Sequence, residues 1–303
     1  MIAFFGLLPA CTSESGPTWI DLTCGGGHAC ALAEDGTVTC WGKASDGQTN
    51  PPADTKFTAI SAGDTHTCGI TDEGTVACWG SNGLDESGSD GRHGGSFVAV
   101  SAGQGFTCAV NSGHEEQCWG KAAPDGAPNW EDEDSGDEPV YLNAIDAGES
   151  HVCAIDAHHE VVCWGAEGAK SSKTDTESID TDTGDKKPAV VDAIEIGAGR
   201  THSCALTGAG RVYCWGMGQD NQADPQDGPF VHLAVGAQHN CALDEEGGVS
   251  CWGDNGDDES DPPEGGGPYD RISAGDEFTC ALERDGDIVC WGNNDLDQSH
   301  PPG

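Results

Sequence analysis

The chain alternates short apolar runs with turn-forming residues. In "CALAEDGTVTCWG" (Cys30–Gly42) an apolar stretch meets Asp-Gly and is followed by the β-branched "TVTC". That order predicts strand, tight turn and strand. The frame occurs seven times, with two cysteines ten positions apart and Trp-Gly directly after the second. Each pair is preceded by an aliphatic residue eight before its first cysteine and a glycine five before it, such as Ile60 and Gly63 in "FTAISAGDTHTC". First cysteines recur every 37 to 51 residues, a period that suits a propeller blade or a solenoid turn.

Cysteines ten apart face each other across a hairpin only if the loop has an odd number of residues. A three-residue loop, a type I turn ending in a left-handed residue, meets that condition and wants glycine four before the second cysteine. Gly36, Gly74, Gly210, Gly247 and Gly286 stand there, and His114 and His159 take the place in the other two repeats. Histidine tolerates the left-handed region better than most residues, so both read as turn substitutes rather than ligands.

This register puts Ala31 opposite Thr39 and Leu32 opposite Val38. Both cysteines point to one face and the tryptophan to the other, where it is expected to pack against the next blade. Seven hairpin disulfides follow: Cys30–Cys40, Cys68–Cys78, Cys108–Cys118, Cys153–Cys163, Cys204–Cys214, Cys241–Cys251 and Cys280–Cys290. Each closes a short loop, worth about 2–3 kcal/mol on the chain-entropy estimate. A zinc reading fits poorly, because zinc pairs usually stand two to four apart. Cys11 and Cys24 are left over. They either bridge each other, or Cys24 is a small buried residue in a slot that holds alanine in five other repeats.

Two residues before the first cysteine stand His28, His66, His151, His202 and His239, with Phe106 and Phe278 in the remaining repeats. A ring of histidines invites a catalytic or metal role, but phenylalanine in the same place favours a structural one. The position opposite is the glycine of Trp-Gly, and the flat ring is expected to lie over it.

"ISAGDTHTCGITDEGTVACWGSNG" resembles the repeat of the regulator of chromosome condensation family, with its Ala-Gly, following His, hairpin and Val-x-x-Trp-Gly. All seven repeats, about residues 18–303, carry the resemblance. It implies an all-β fold, a seven-bladed β-propeller that closes between its terminal segments, with Trp19–Thr23 near the tail after Gly292. Blades in that family are sometimes completed by strands from neighbouring repeats, and the short repeats here leave room for missing outer strands. Nuclear members act as nucleotide-exchange factors and bind chromatin, and other relatives are secreted bacterial proteins, including an inhibitor of a β-lactamase. The paired cysteines depart from the pattern.

Charge restricts these implications. Acidic residues outnumber basic ones 53 to 12, for a net charge of −41. Such a chain repels phosphate, which disfavours nucleic acid and anionic membranes as partners. Sixteen cysteines, regularly paired, point to an oxidising compartment. The apolar start "MIAFFGLLPAC" ends in a sequence resembling a bacterial lipobox, which predicts lipidation of Cys11. On that reading residues 1–11 are a lipoprotein-type signal whose upstream start is missing or miscalled, residues 12–17 a polar tether and residues 18–303 the propeller; the competing reading is a chance apolar N-terminus. The only membrane contact expected is through the lipid.

Two connecting segments are long and acidic: Lys121–Ala144 and Ala166–Glu195. They follow consecutive repeats and should emerge side by side on one rim, where repeat proteins often bind. Acidic decoration without a partner is the competing reading. Trp130 and Tyr141 are the aromatic candidates for anchoring a partner. "DEDSGDE" (Asp132–Glu138) and "DTDTGD" (Asp180–Asp185) weakly resemble calcium loops without matching the full pattern, so no cofactor is expected and calcium is the one weighed. No hydrolase, metalloprotease or phosphate-loop motif occurs. The expectation is a monomeric, non-catalytic exported scaffold that binds a protein or extracellular ligand, in the cell envelope as a lipoprotein. The alternatives are a secreted inhibitor and a propeller hydrolase or lyase.

Overall fold

The computed structural model describes residues 16–88, 92–124, 141–165, 190 and 192–302. These form strands and turns arranged as seven antiparallel sheets, each a blade of a β-propeller. Blade 1 consists of β1 (Trp19–Cys24), β2 (His28–Ala33) and β3 (Val38–Gly42). Blade 2 has β4 (Phe57–Ala62), β5 (His66–Thr71), β6 (Val76–Gly80) and a short fourth strand, β7 (Arg92–His93). Blade 3 has β8 (Phe97–Ala102), β9 (Thr107–Asn111) and β10 (Glu116–Trp119). Blade 4 has β11 (Leu142–Ala147), β12 (His151–Asp156) and β13 (Val161–Gly165). Blade 5 has β14 (Ala193–Ala198), β15 (His202–Thr207) and β16 (Val212–Gly216). Blade 6 has β17 (Phe230–Val235), β18 (His239–Asp244) and β19 (Val249–Gly253). Blade 7 has β20 (Tyr269–Ala274), β21 (Phe278–Glu283) and β22 (Ile288–Gly292). The named strands of each blade are consecutive in sequence, so among the described residues no blade borrows one from another repeat.

The hairpin register is the one that the cysteine spacing demands. Ala31 faces Thr39, Leu32 faces Val38 and Cys30 faces Cys40. All seven cysteine pairs are bridged, with Cα atoms 4.0–4.1 Å apart. Each turn closes with a left-handed residue: φ is +83° at Gly36 and +80° at Gly74, and +66° and +62° at His114 and His159. Both histidines gain something for that strain. His114 Nδ1–H donates to the Leu142 carbonyl and His159 Nδ1–H to that of Ala193, each 3.0 Å away on the next blade.

The core is a set of clusters between blades. Cys280 packs with Ala29, Ala31 and Trp41, and Cys30 with Trp79. The tryptophan therefore packs back on the preceding blade, and the disulfide face is the one that meets the next. This reverses the direction expected for the tryptophan, because a hairpin's register defines two faces without saying which way the ring runs.

Closure uses the same bond as four other junctions. On five blades the residue after the inner-strand aliphatic carries a hydroxyl or carboxylate that accepts from a backbone N–H of the next blade, while blades 5 and 6 have Gly197 and Ala234 there. Thr23 accepts from Ala62, Ser61 from Ala102, Ser101 from Ala147 and Asp146 from Ala198, at 2.7–3.0 Å. Ser273 of blade 7 accepts from Cys24 of blade 1 in the same way. The tail does not reach Trp19–Thr23 in these contacts. It packs on β3 instead, where Trp41 Nε1–H donates to the Gln298 carbonyl, as Trp79 does to Gln48 and Trp291 to Glu259.

Candidate functional site: blade seams and channel mouths

The seam histidines are buried, and their rings lie elsewhere than expected. A Cβ on Gly42 would meet the backbone of Gly27 and His28, so the Trp-Gly glycine makes room for main chain. The ring rests against the glycine three residues before it: a Cβ on Gly63 would meet His66 Cε1 at 3.0 Å. Its Nε2 points across the seam. His28 donates to Thr67, His66 to Thr107, His202 to Asn240 and His239 to Thr279, and His151 Nε2 is hydrogen-bonded to the Ser203 hydroxyl, all at 2.7–2.8 Å. The acceptors are themselves oriented, since Thr67, Thr107 and Thr279 hydroxyls and the Asn240 amide donate to the carbonyls of Gln48, Glu86, Glu259 and Gln222.

The two phenylalanines complete this pattern. The position that meets the histidine is the residue just before the next blade's first cysteine. After Phe106 it is Val152, and after Phe278 it is Ala29. Every polar ring has a polar partner and every apolar ring an apolar one. Burial also keeps the histidines neutral: their pKa values fall to about 3 for His28 and about 4 for His66, His151 and His239. Nδ1 of His28, His66, His202 and His239 has no hydrogen-bond partner among the described residues, so a proton there would be an unpaired buried charge.

One positional signal was missed in the sequence. Eight residues after the second cysteine stand Gln48, Glu86, Gln222, Glu259 and Gln298, all buried. Their side chains close their own loop, as when Asp46 N–H donates to Gln48 Oε1 at 2.9 Å, and their carbonyls clasp the next blade. After Cys118 and Cys163 that spacing gives Gly126 and Ser171, inside the two long connections.

The inner strands enclose a channel of about 250 Å³. Seven glycines ring one mouth, and a Cβ on any of them would strike the carbonyl oxygen of the glycine on the next blade. This explains the glycine five before every first cysteine. Just beyond it the mouth carries Gly26, Asp64, Gln104, Glu149, Arg200, Ala237 and Asp276. Cys24 lines the channel, buried and free, and burial pushes its thiol up to about 12.

The next inner-strand register toward the opposite mouth is asymmetric. Blades 2, 3 and 4 carry Ala59, Ala99 and Ala144, whereas blades 5, 6, 7 and 1 carry Glu195, His232, Arg271 and Asp21. His232 Nδ1–H donates to Glu195 at 2.9 Å, and Arg271 donates to His232 Nε2 at 3.1 Å. Burial pushes the Asp21 carboxyl up, against the Leu22 N–H and the pull of Arg271.

Of the rim candidates, Tyr141 is exposed and stands edge-on to His114, with ring centroids 5.7 Å apart. Trp130, Cys11 and the two calcium-like stretches lie outside the described residues. Glu283, Asp285 and Asp287 bring three carboxylates together on the blade 7 hairpin turn, which a chain of this acidity does readily.

Hairpin blades, one disulfide each, around a glycine-lined channel define a seven-bladed propeller of tandem repeats. The profile of the "Regulator of chromosome condensation (RCC1) repeat" matches residues 19–48, 57–85, 193–222, 230–258 and 270–298, which are blades 1, 2, 5, 6 and 7 with their trailing loops. Five of its seven blades are therefore RCC1-type repeats. No curated protein matches it. Among solved structures it is similar to the ectodomain of the Physcomitrella patens receptor kinase CR4, at 24% identity and a TM-score of 0.69 over 91% of this chain and 74% of that one. It is also similar to the CRINKLY WD40 ectodomain of the Arabidopsis thaliana receptor kinase ACR4 (23%, TM-score 0.67, 91% and 96%) and to human WBSCR16 (17%, TM-score 0.69, 89% and 88%). At these identities the likeness is one of fold.

Proposed function

We propose that this propeller is a non-catalytic exported scaffold, tethered through a lipid on Cys11, that binds a protein or extracellular ligand on the rim of blades 3 and 4. The observation that carries the reading is the pairing across the seams. The histidines are the repeated set of candidate catalytic groups among the described residues, and each is committed to a hydrogen bond with a side chain of the next blade. Seven disulfides suit an oxidising compartment.

Support for the rim comes from where the repeats diverge. Blades 3 and 4 lie outside the family match, and the long connections leave from β10 and β13, on adjacent blades. Tyr141 is exposed where the first connection rejoins the ring. Strong negative charge fits a basic partner surface and fast, salt-dependent association.

Metabolic labelling with a fatty acid tests the tether: label on Cys11 supports it, and an unlabelled secreted chain points to the soluble inhibitor instead. Replacing 125–140 and 166–189 by short Gly-Ser linkers tests the rim. Partner capture should be lost while the melting curve is kept, and unchanged capture would refute the rim. A glycan and ester substrate screen that detects turnover would replace the scaffold by a hydrolase.

A further inference from the structure

Arg200 opens the turn between β14 and β15, one residue past the channel glycine Gly199. It is the one cation among the seven residues at that level of the mouth. Its guanidinium lies 3.5 Å from Glu149 on blade 4 and 3.6 Å from Asp276 on blade 7, and it donates to Gln238 on blade 6 at 3.1 Å. Blades 4 and 7 stand on opposite sides of a seven-membered ring. An arm rooted on blade 5 that touches both reaches out over the side of the mouth bounded by blades 4 to 7.

We propose that Arg200 is a displaceable plug over this mouth of the channel, and that the carboxylates it neutralises make the mouth selective for cationic groups. Its two ion pairs are partly solvated, with about 40% of each side chain exposed, and pairs of that kind are held weakly. Beneath the plug the lining mixes glycine and alanine with the aliphatic Leu22, Ile196, Leu233, Val235 and Ile272, and about 250 Å³ of space remains. Asp276 is the lever. Burial and then Asp64 hold its carboxyl up at about 6, Arg200 pulls it down, and Glu277 and Glu149 add to the rise. Protonating it removes one of the two anchors. With Arg200 withdrawn, Asp64, Glu149 and Asp276 face the mouth uncompensated, a field that draws cations and repels anions.

Cys24 supplies the readout, because it is a free thiol that lines the channel and is only 7% exposed. The full chain carrying Cys11→Ser is treated at pH 8 with methanethiosulfonates bearing either a trimethylammonium or a sulfonate group, and label on Cys24 is followed by mass spectrometry. With Arg200 in place both reagents should react slowly. Arg200→Ala should speed the cationic reagent at least tenfold and leave the anionic one nearly unchanged. Asp276→Asn, which keeps the plug but frees one anchor, should give a smaller rise of the same sign. Equal rates in all three chains would overturn the plug, and a gain for the anionic reagent would overturn the selectivity. A rise that follows lost urea stability, measured on the same samples, would also count against it, since labelling would then report unfolding.

Discussion

At five blade junctions a buried histidine meets a hydroxyl or an amide; at the other two a phenylalanine meets Val152 or Ala29. The two kinds of seam have the same backbone, the same supporting glycine and the same neighbouring disulfide. What differs is a pair of residues on adjacent blades, and they differ together. A polar seam is stable only when complete, because a buried donor without a partner costs more than the bond is worth. The apolar seam avoids that risk and loses the direction that the hydrogen bond imposes.

Acid should separate the two kinds of seam most strongly. The histidine pKa values are lower in the folded chain than the ordinary 6.5, at about 4 for three of them and about 3 for His28. Between those limits the unfolded chain binds more protons, so this contribution to stability is whole above pH 6.5 and is lost as pH falls toward 4. A shift from 6.5 to about 4 is worth about 3 kcal/mol. Asp146 and Asp276 work the other way, since burial raises both carboxyls to about 6, but they are two groups against five histidines. Converting one polar seam with His66→Phe and Thr107→Val should flatten the stability slope between pH 6.5 and 4 by about 1.4 kcal/mol per unit, one proton's worth. Urea titrations at several pH values measure that slope, and an unchanged slope would mean that the histidines do not govern it.

A mismatch in an apolar seam comes next. Phe106→His sets a polar ring against Val152 and should cost about 3 kcal/mol. Adding Val152→Thr should recover about 1 kcal/mol or more as coupling in a double-mutant cycle. Strict additivity would show that the seams are independent of their partners.

The reverse mismatch is smaller. Thr107→Val leaves His66 Nε2–H without an acceptor and should cost about 1–3 kcal/mol, most of it regained when His66→Phe is added. Both values come from chemical denaturation followed by tryptophan fluorescence.

The smallest effect belongs to the turn histidines. His114→Gly gives up the bond to the Leu142 carbonyl but removes a side chain from the left-handed region, so the net change should stay within about 1 kcal/mol. A loss of several kcal/mol would assign His114 a larger part in joining blades 3 and 4.

Much of this was legible in one dimension, for a reason visible in Cys68–Gly80. A three-residue loop with a left-handed Gly74 sets which residues face each other, and Cys68, Cys78 and Trp79 take their faces from that register alone. Repetition then fixes the number of blades. Less was legible at the rim, where the proposed anchor Trp130 lies outside the described residues and only Tyr141 can be placed.

Contacts between blades are of another kind. His66 lies opposite Gly80 in its hairpin, yet its ring rests on Gly63 and its proton goes to Thr107. The tryptophans turn toward the preceding blade, and Arg200 reaches from blade 5 to Glu149 and Asp276. Local spacing determines what can be computed within one hairpin, namely register, face and disulfide. The direction of packing round the ring, the partner across each seam and the occupant of the channel mouth depend on where separate hairpins come to lie. That is decided only when the ring closes and Ser273 meets Cys24.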